Sequence, residues 1–405
     1  TQFGKLIYAY KTWGNREEVE KDPITELLKL YVKFHDEVEK TPELEDKGRE
    51  EFKKFEEGDK ENRELWQWFV DESMKAINKT YDKIGGIHFD YTQGESFYED
   101  KMADLLEEGK KEGVFTQGEE GSFIVEYEDE NMPPLVVQKK DGATLYSTRD
   151  FSALKYRIKE WDPVKILYVV DVAQSLHFKQ LFEGAERFPW YNDTGYHVVF
   201  GRMHMKDGKM STRKGNVILL DDVLDEAEKR AAEIIESKNP DLKDKDKVAH
   251  IVGVGAVKYN ILSQNRATDI TFDWDTMLSL EGNSAPYLQY SYARAKSILR
   301  KAHEESPLET TEENAEQIEE KTMSVLRAIP KFSEAIIDSA KEYKPNIISN
   351  YLYDLAQKFN SFYNTVPVLK TKKEDQKNRL EIVESVSQVL KNGLLLLGVD
   401  VVEEM

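Results

Sequence analysis

The chain has 405 residues, 40 % hydrophobic, 33 % charged and 11 % aromatic, which gives apolar material for two or three domains at roughly 150 residues each and is not the composition of a disordered chain. Fifty-seven Lys and Arg against 77 Asp and Glu leave a formal charge of −20, which repels anionic membranes and argues against holding DNA by bulk attraction, although a local basic patch could still grip RNA. The absence of cysteine excludes disulfides, thiolate zinc sites and Cys nucleophiles.

The longest C-terminal apolar run, Leu394 to Val399, is far too short to span a bilayer, and no secretory signal opens the chain. A soluble, cytoplasmic protein is expected. The chain begins Thr1-Gln2-Phe3-Gly4, without an initiator Met and directly inside the apolar segment Phe3 to Tyr10, which reads as a fragment of a longer protein. From Asp22-Pro23 a helix is expected, with Leu27, Leu28, Tyr31 and Phe34 recurring every three or four residues. The charged stretch Thr41 to Glu61 reads as a solvated helix or linker. A second amphipathic helix carries Leu65, Phe69, Ile77 and Tyr81 and ends at Gly85-Gly86.

Short strands are expected at Phe123 to Tyr127, Leu135 to Gln138 and Thr144 to Ser147, the last two joined as a hairpin across Asp141-Gly142. Lys165 to Val170 is a continuous apolar run, the kind buried on both faces of a parallel sheet. A helix over Gln174 to Arg187 and a strand over Tyr196 to Phe200 complete a βαβ unit. Beyond Asp221 the pattern is helical, interrupted near Asn239-Pro240 and over Asp269 to Asp275. The layout is an α/β middle followed by a long all-α part.

Chemistry concentrates in the loop after the second strand, Gly201-Arg-Met-His-Met-Lys-Asp-Gly-Lys209-Met-Ser-Thr-Arg-Lys-Gly-Asn216. Ligands of open α/β sheets sit beyond the carboxyl ends of the strands, where this loop must lie. Lys206, Lys209, Arg213 and Lys214 beside the hydroxyls of Ser211 and Thr212 suit a polyphosphate and the charge of departing pyrophosphate. On charge alone a mobile basic surface loop fits equally well. The glycines are not spaced as in a Walker-type P-loop.

The string Lys209-Met-Ser-Thr-Arg-Lys-Gly-Asn216 resembles the signature loop of class I aminoacyl-tRNA synthetases in its arginyl variant, with Thr212 where a second Lys is common. Thr144-Leu-Tyr146-Ser-Thr-Arg-Asp150 resembles that family's arginine-recognition segment. A guanidinium needs a carboxylate for its forked donors and a flat face to lie against, which Asp150 and Tyr146 supply. Asp150 could equally be the N-cap of a helix over Phe151 to Trp161, and both roles can coexist.

Tyr168-Val-Val-Asp-Val-Ala-Gln174-Ser-Leu-His177 is similar to the next strand end of the family, which implies that Gln174 helps to hold arginine and places His177 one helical turn later, near the nucleotide. Met203 matches the position whose backbone contacts adenine, so the implied ATP site comprises Met203, His177, Lys209, Ser211 and Thr212, with Lys209, Arg213 and Lys214 catalytic. No close histidine pair suggests a protein-held metal, so none is expected, and Mg²⁺ would arrive with ATP.

The family pairs this loop with a two-histidine phosphate motif, yet no two of the seven histidines stand three apart. By resemblance that motif lies upstream of Thr1-Gln-Phe-Gly-Lys-Leu-Ile7, and the polypeptide alone is expected not to activate arginine. Ala285-Pro-Tyr287-Leu-Gln-Tyr290-Ser-Tyr-Ala-Arg294 looks like the entry to the family's anticodon-binding helices. Tyr287, Tyr290 and Arg294 share a face that offers bases flat partners and a cation, although tyrosines that pack inward give the same spacing. Phe359, Phe362 and Tyr363 form a second aromatic group on a helix over Leu352 to Asn364, and Tyr363 and the terminal Met405 are carried over as tRNA contacts.

The resemblance implies a Rossmann-type, parallel-sheet nucleotide-binding fold, incomplete at its N-terminus, with an α/β insertion and an all-α anticodon-binding bundle. Its segments are residues 1–15 (remnant of the first catalytic half), 16–140 (insertion), 141–220 (second half with the loop), 221–280 (helical stem-contact region) and 281–405 (anticodon-binding domain). The implied activity joins L-arginine to its tRNA through arginyl-adenylate, with ATP, L-arginine and the arginine tRNA as partners and neither DNA nor membrane. The alternative is a non-catalytic tRNA- or arginine-binding module.

Overall fold

A computed structural model of the chain describes residues 2–118, 121–205, 219–304 and 315–405, and its contacts gather into two units. One unit comprises Thr1–His88, His204–Ser263 and Thr271–Met405; the other comprises Phe89–Met203 and Gln264–Ile270. The first unit opens with α1 (Gln2–Trp13), α2 (Arg16–Lys21), α3 (Pro23–Lys40), α4 (Leu44–Glu56) and α5 (Lys60–Lys83). Asp22 caps α3, its carboxylate accepting from the Thr25 N–H, with Pro23 in the first helical turn. Ile7, Leu27, Leu30, Phe34 and Phe69 form the core of these helices.

The stretch expected to be a solvated helix or linker is a helix, exposed over most of its surface but with one face packed: α4 lies against α1. Gly4 makes the crossing possible, because a Cβ there would stand 2.2 Å from the Gly48 carbonyl oxygen. Beside it Glu51 is buried, accepting hydrogen bonds from Lys11 (3.0 Å), Lys54 (2.6 Å) and Asn62 (2.9 Å). Burial would push this carboxyl up, but those three donors outweigh it and hold it down at about 2. A carboxyl depressed in the folded state contributes stability that is complete above its unfolded value of 4.5 and is lost as pH falls toward 2. Glu51→Gln should therefore lower the melting temperature at about pH 6 and flatten its fall between about pH 5 and about pH 3, measured by circular dichroism; an unchanged acid limb would show that the network is not coupled to folding.

The second unit contains α6 (Met102–Lys111), an antiparallel sheet of β1 (Thr116–Gln117), β2 (Phe123–Val125) and β3 (Leu135–Gln138), then α7 (Tyr146–Trp161), β4 (Ile166–Asp171), α8 (Ser175–Ala185) and β5 (Gly195–Phe200). β4 and β5 are parallel, in register from Ile166 opposite Gly195 to Asp171 opposite Phe200, as the βαβ reading expects. Two expectations need correction. The hairpin is reduced to a single bridge, Gln138 with Thr144, around Gly142 at φ +84°, because the chain turns helical at Tyr146. Among the described residues β4 is covered on one face only: Ile166, Tyr168 and Val170 pack on the core, whereas Leu167 and Val169 are 44 % and 65 % exposed. The strands at 123–125 and 135–138, assigned from sequence to the insertion, share one core with Phe151, Leu154 and Leu181.

A short ribbon pairs β6 (Met203–Met205) with β7 (Ile270–Phe272). The remaining elements are helical: α9 (Leu220–Lys238), α10 (Lys245–Leu262), α11 (Trp274–Met277), α12 (Ala285–Glu304), α13 (Ala315–Ala328), α14 (Phe332–Glu342), α15 (Asn346–Thr365) and α16 (Lys373–Leu396). Ser284 starts α12 by accepting from the Tyr287 N–H at 3.2 Å. Leu288, Leu352, Leu355, Phe359, Phe362, Val383 and Leu390 bury their side chains between α12, α15 and α16.

Candidate functional site

The start of α7 is fastened to β3. Ser147 Oγ donates to the Val136 carbonyl at 2.5 Å, and the Thr148 hydroxyl donates to the Val137 carbonyl while accepting from the Leu145 N–H. Tyr146 and Asp150 then fall four residues apart, on one face of the helix. Asp150 lies inside α7 rather than before it, so it is not the N-cap; the helix begins at Tyr146 because Ser147 and Thr148 anchor that end.

From α8, His177 meets both residues. Its Nε2 is 2.7 Å from Asp150 Oδ2, and its ring meets that of Tyr146 edge-on, with centroids 5.0 Å apart. Exposure grades outward through the cluster, from 10 % for the His177 side chain to 39 % for that of Asp150 and 59 % for Tyr146. A fixed, partly solvated carboxylate beside an open aromatic ring is suited to a planar cation. Gln174 is exposed on the turn Val172–Gln174 that joins β4 to α8, three residues before His177.

The end of the parallel pair is shaped by Asp171, whose Oδ1 accepts from the Ala173 N–H at 2.7 Å and whose Oδ2 lies 3.6 Å from Arg202 Nε. His197 stacks on Phe178 with ring centroids 4.6 Å apart; burial depresses its pKa, against the opposing Val170 carbonyl. Met203 opens β6. Lys209, Ser211, Thr212, Arg213 and Lys214 lie outside the described residues.

In the helical unit, the Arg294 guanidinium lies between two half-exposed rings, 4.8 Å from the centroid of Tyr290 and 5.0 Å from that of Tyr363. Asn360, which sequence reasoning does not single out, organises the group: its oxygen accepts from Arg294 at 2.5 Å, and its amide donates to Tyr287 Oη and Ser291 Oγ, both at 2.9 Å. An amide between the two buried rings of Phe359 and Phe362 is the available signal. Tyr287 is half-buried, edge-on to Tyr353, so it faces the neighbouring helix more than solvent. A cavity of about 710 Å³ lies over Arg294, Tyr290, Tyr363 and Met405. Arg300 holds the tail beside it, bonding the Glu403 carbonyl at 3.2 Å and the Glu404 carboxylate at 3.0 Å.

Two family models match the chain: "tRNA synthetases class I (R), catalytic domain" over residues 1–274 and "DALR anticodon binding domain" over residues 288–405. The arginine–tRNA ligase of Alkaliphilus metalliredigens is 46 % identical over 407 residues, covering 100 % of this chain and 71 % of that protein. The enzyme of the same name from Clostridium perfringens is 46 % identical over 408 residues, covering 100 % and 72 %. Among solved structures, arginyl-tRNA synthetase of Thermus thermophilus superposes with a TM-score of 0.82 at 24 % identity, over 99 % of this chain and 74 % of that one. The enzyme from Plasmodium falciparum gives 0.79 at 25 % identity, over 100 % and 68 %.

Proposed function

This chain belongs to the class I arginyl-tRNA synthetases, the arginine–tRNA ligases, and from that premise we propose how its own residues serve the reaction. Asp150 accepts the guanidinium of L-arginine, Tyr146 gives it a flat face, and Gln174 holds the amino-acid end. The single observation carrying this assignment is the Tyr146–Asp150–His177 cluster, a carboxylate fixed from behind and open in front. The nucleotide occupies the carboxyl end of β4 and β5 in a Rossmann-type fold, with the Met203 backbone at adenine, as the parallel register and strand-end Asp171 support.

In the first step an oxygen of the arginine α-carboxylate bonds to the α-phosphorus of ATP, and the bond from that phosphorus to the pyrophosphate oxygen breaks. Lys209, Arg213 and Lys214, with the hydroxyls of Ser211 and Thr212, stabilise the charge that collects on pyrophosphate, and Mg²⁺ travels with the phosphates. A ribose hydroxyl of the terminal tRNA adenosine then takes the arginyl group, AMP leaves, and the hydroxyl proton passes to the phosphate or solvent. The work of the protein is positioning and electrostatics, in the cytoplasm where tRNA is charged. Calorimetric titration with L-arginine, citrulline and lysine tests the clamp. Arginine alone should bind tightly, because citrulline lacks the charge and lysine the planar fork; equal binding of citrulline would sink the assignment.

The anticodon loop is read on Tyr290, Tyr363, Met405 and the groups that organise them, Tyr287 and Arg294. Since one Arg294 nitrogen donates to Asn360 and the guanidinium lies within 5.0 Å of both ring centroids, its role is to order the stacking platform rather than to neutralise phosphate. Arg294→Ala should weaken tRNA binding by about tenfold with little change in the dependence on salt, and Arg294→Lys should not rescue it. Filter binding across a salt series checks this. A steeply altered salt slope would identify Arg294 as a phosphate contact instead.

A further inference from the structure

The strand-end position of His177 suggests a place beside the nucleotide, and its ring turns to Asp150 and Tyr146. Its other nitrogen, Nδ1, is buried and has no hydrogen-bond partner among the described residues. A proton on Nδ1 would be sealed away without an acceptor, whereas a proton on Nε2 is donated directly to Asp150 Oδ2. The geometry therefore fixes the tautomer. With its proton on Nε2, the ring engages one of the two oxygens of Asp150.

We infer that His177 is the positioning residue of the arginine clamp: it holds Asp150 by one oxygen so that the other is presented outward, and it seats the Tyr146 ring at the angle a planar cation requires. This deepens the arginine-binding reading and rests on it. The energetic logic is preorganisation. A carboxylate on an open helix face samples several rotamers, and each must be abandoned when a forked donor arrives. His177, at 10 % exposure, removes that freedom before the substrate binds. The His177 bond engages one side of Oδ2, so the forked donors meet Asp150 through Oδ1 and the open side of the carboxylate, beside the ring face.

Two measurements on the 405-residue polypeptide decide the matter. In the unsubstituted protein, ¹⁵N shifts of the imidazole nitrogens should show His177 protonated on Nε2 and unprotonated on Nδ1, and a proton on Nδ1 overturns the proposal. By NMR titration, His177→Ala should weaken L-arginine about tenfold, and His177→Gln, which retains a donor, should come back to within about threefold. In an Asp150→Ala background, the further change His177→Ala should cost less than about twofold, since nothing is left to hold. The same tenfold loss in that background, or none in either, would make His177 a packing residue and defeat the inference. If the tautomer and the hold on Asp150 are found while arginine does not bind the unsubstituted chain, the substrate assignment falls and the support of Asp150 by His177 stands.

Discussion

Replacing Asp150 by Asn should weaken L-arginine binding by about 1.5–3 kcal/mol while leaving the helix content unchanged, the range expected for loss of a charged hydrogen bond. The substitution keeps nearly every neutral contact. The asparagine side chain retains an oxygen that can accept from His177 Nε2, and the helix start is held by Ser147 and Thr148, three and two residues earlier. What is lost is the negative charge and the second acceptor. Because Asp150 lies inside α7 and does not cap it, the substitution leaves the helix start untouched. Calorimetry with L-arginine measures the loss, and far-ultraviolet circular dichroism on the same sample checks that the helix is intact. Unchanged affinity would remove Asp150 from the site.

The charge of the whole chain makes this test sharper. At −20 the protein attracts any cation weakly and from a distance. Such attraction is screened by salt and does not distinguish arginine from lysine, whereas a fixed carboxylate beside the exposed Tyr146 ring does. Raising the ionic strength should leave most of the difference between the unsubstituted protein and Asp150→Asn in place.

The parts of the fold that sequence makes legible are those set by local chemistry. Asp22-Pro23 marks a helix start by side-chain capping and fixed φ, and β4 and β5 declare themselves as apolar runs flanking a helix. The errors arise where a distant partner decides. Nothing local in Thr41 to Glu61 says that Gly48 lies beneath Gly4, or that a glutamate there is buried under two lysines and an asparagine. Thr144 to Ser147 has the composition of a strand, but hydroxyls at 147 and 148 bond to β3 and turn the chain into a helix two residues earlier than β propensity suggests. The continuous run Lys165 to Val170 carries apolar side chains on both faces, and composition alone does not reveal that only one face is covered within the described residues.

The site follows the same division. Tyr146, Asp150 and Gln174 stand out because their segments resemble those of the family, and the chemistry of a guanidinium gives a reason for the roles proposed for Tyr146 and Asp150. For His177, the spacing from Gln174 is visible in the sequence, but the direction of its ring is not, because that depends on how α8 faces α7. Asn360 escapes notice for a related reason. Its three polar partners come from α12, sixty-six to seventy-three residues away, and within its own helix it is one of several polar residues, with nothing local to set it apart.

Phe359→Ala should destabilise the helical unit by about 3–5 kcal/mol, the range for emptying a buried aromatic position, and should weaken tRNA binding although Phe359 has no exposed surface. Its ring is 0 % exposed and belongs to the cluster that joins α15 to α12 and α16, so truncation leaves a cavity that rigid helices fill only in part. The next residue, Asn360, holds Arg294, and Tyr363 stands one turn further along the same helix. A shift of α15 toward the cavity would move both relative to Tyr290, opening the sandwich around the Arg294 guanidinium. Phe359→Leu, which removes less volume, should lose under half as much stability and retain most of the tRNA affinity. Denaturant unfolding followed by circular dichroism gives the first quantity and filter binding the second. A variant that loses the expected stability yet binds tRNA normally would show that the aromatic platform does not depend on the seating of α15, whereas a loss below about 1 kcal/mol would place Phe359 in a site able to collapse around the smaller side chain.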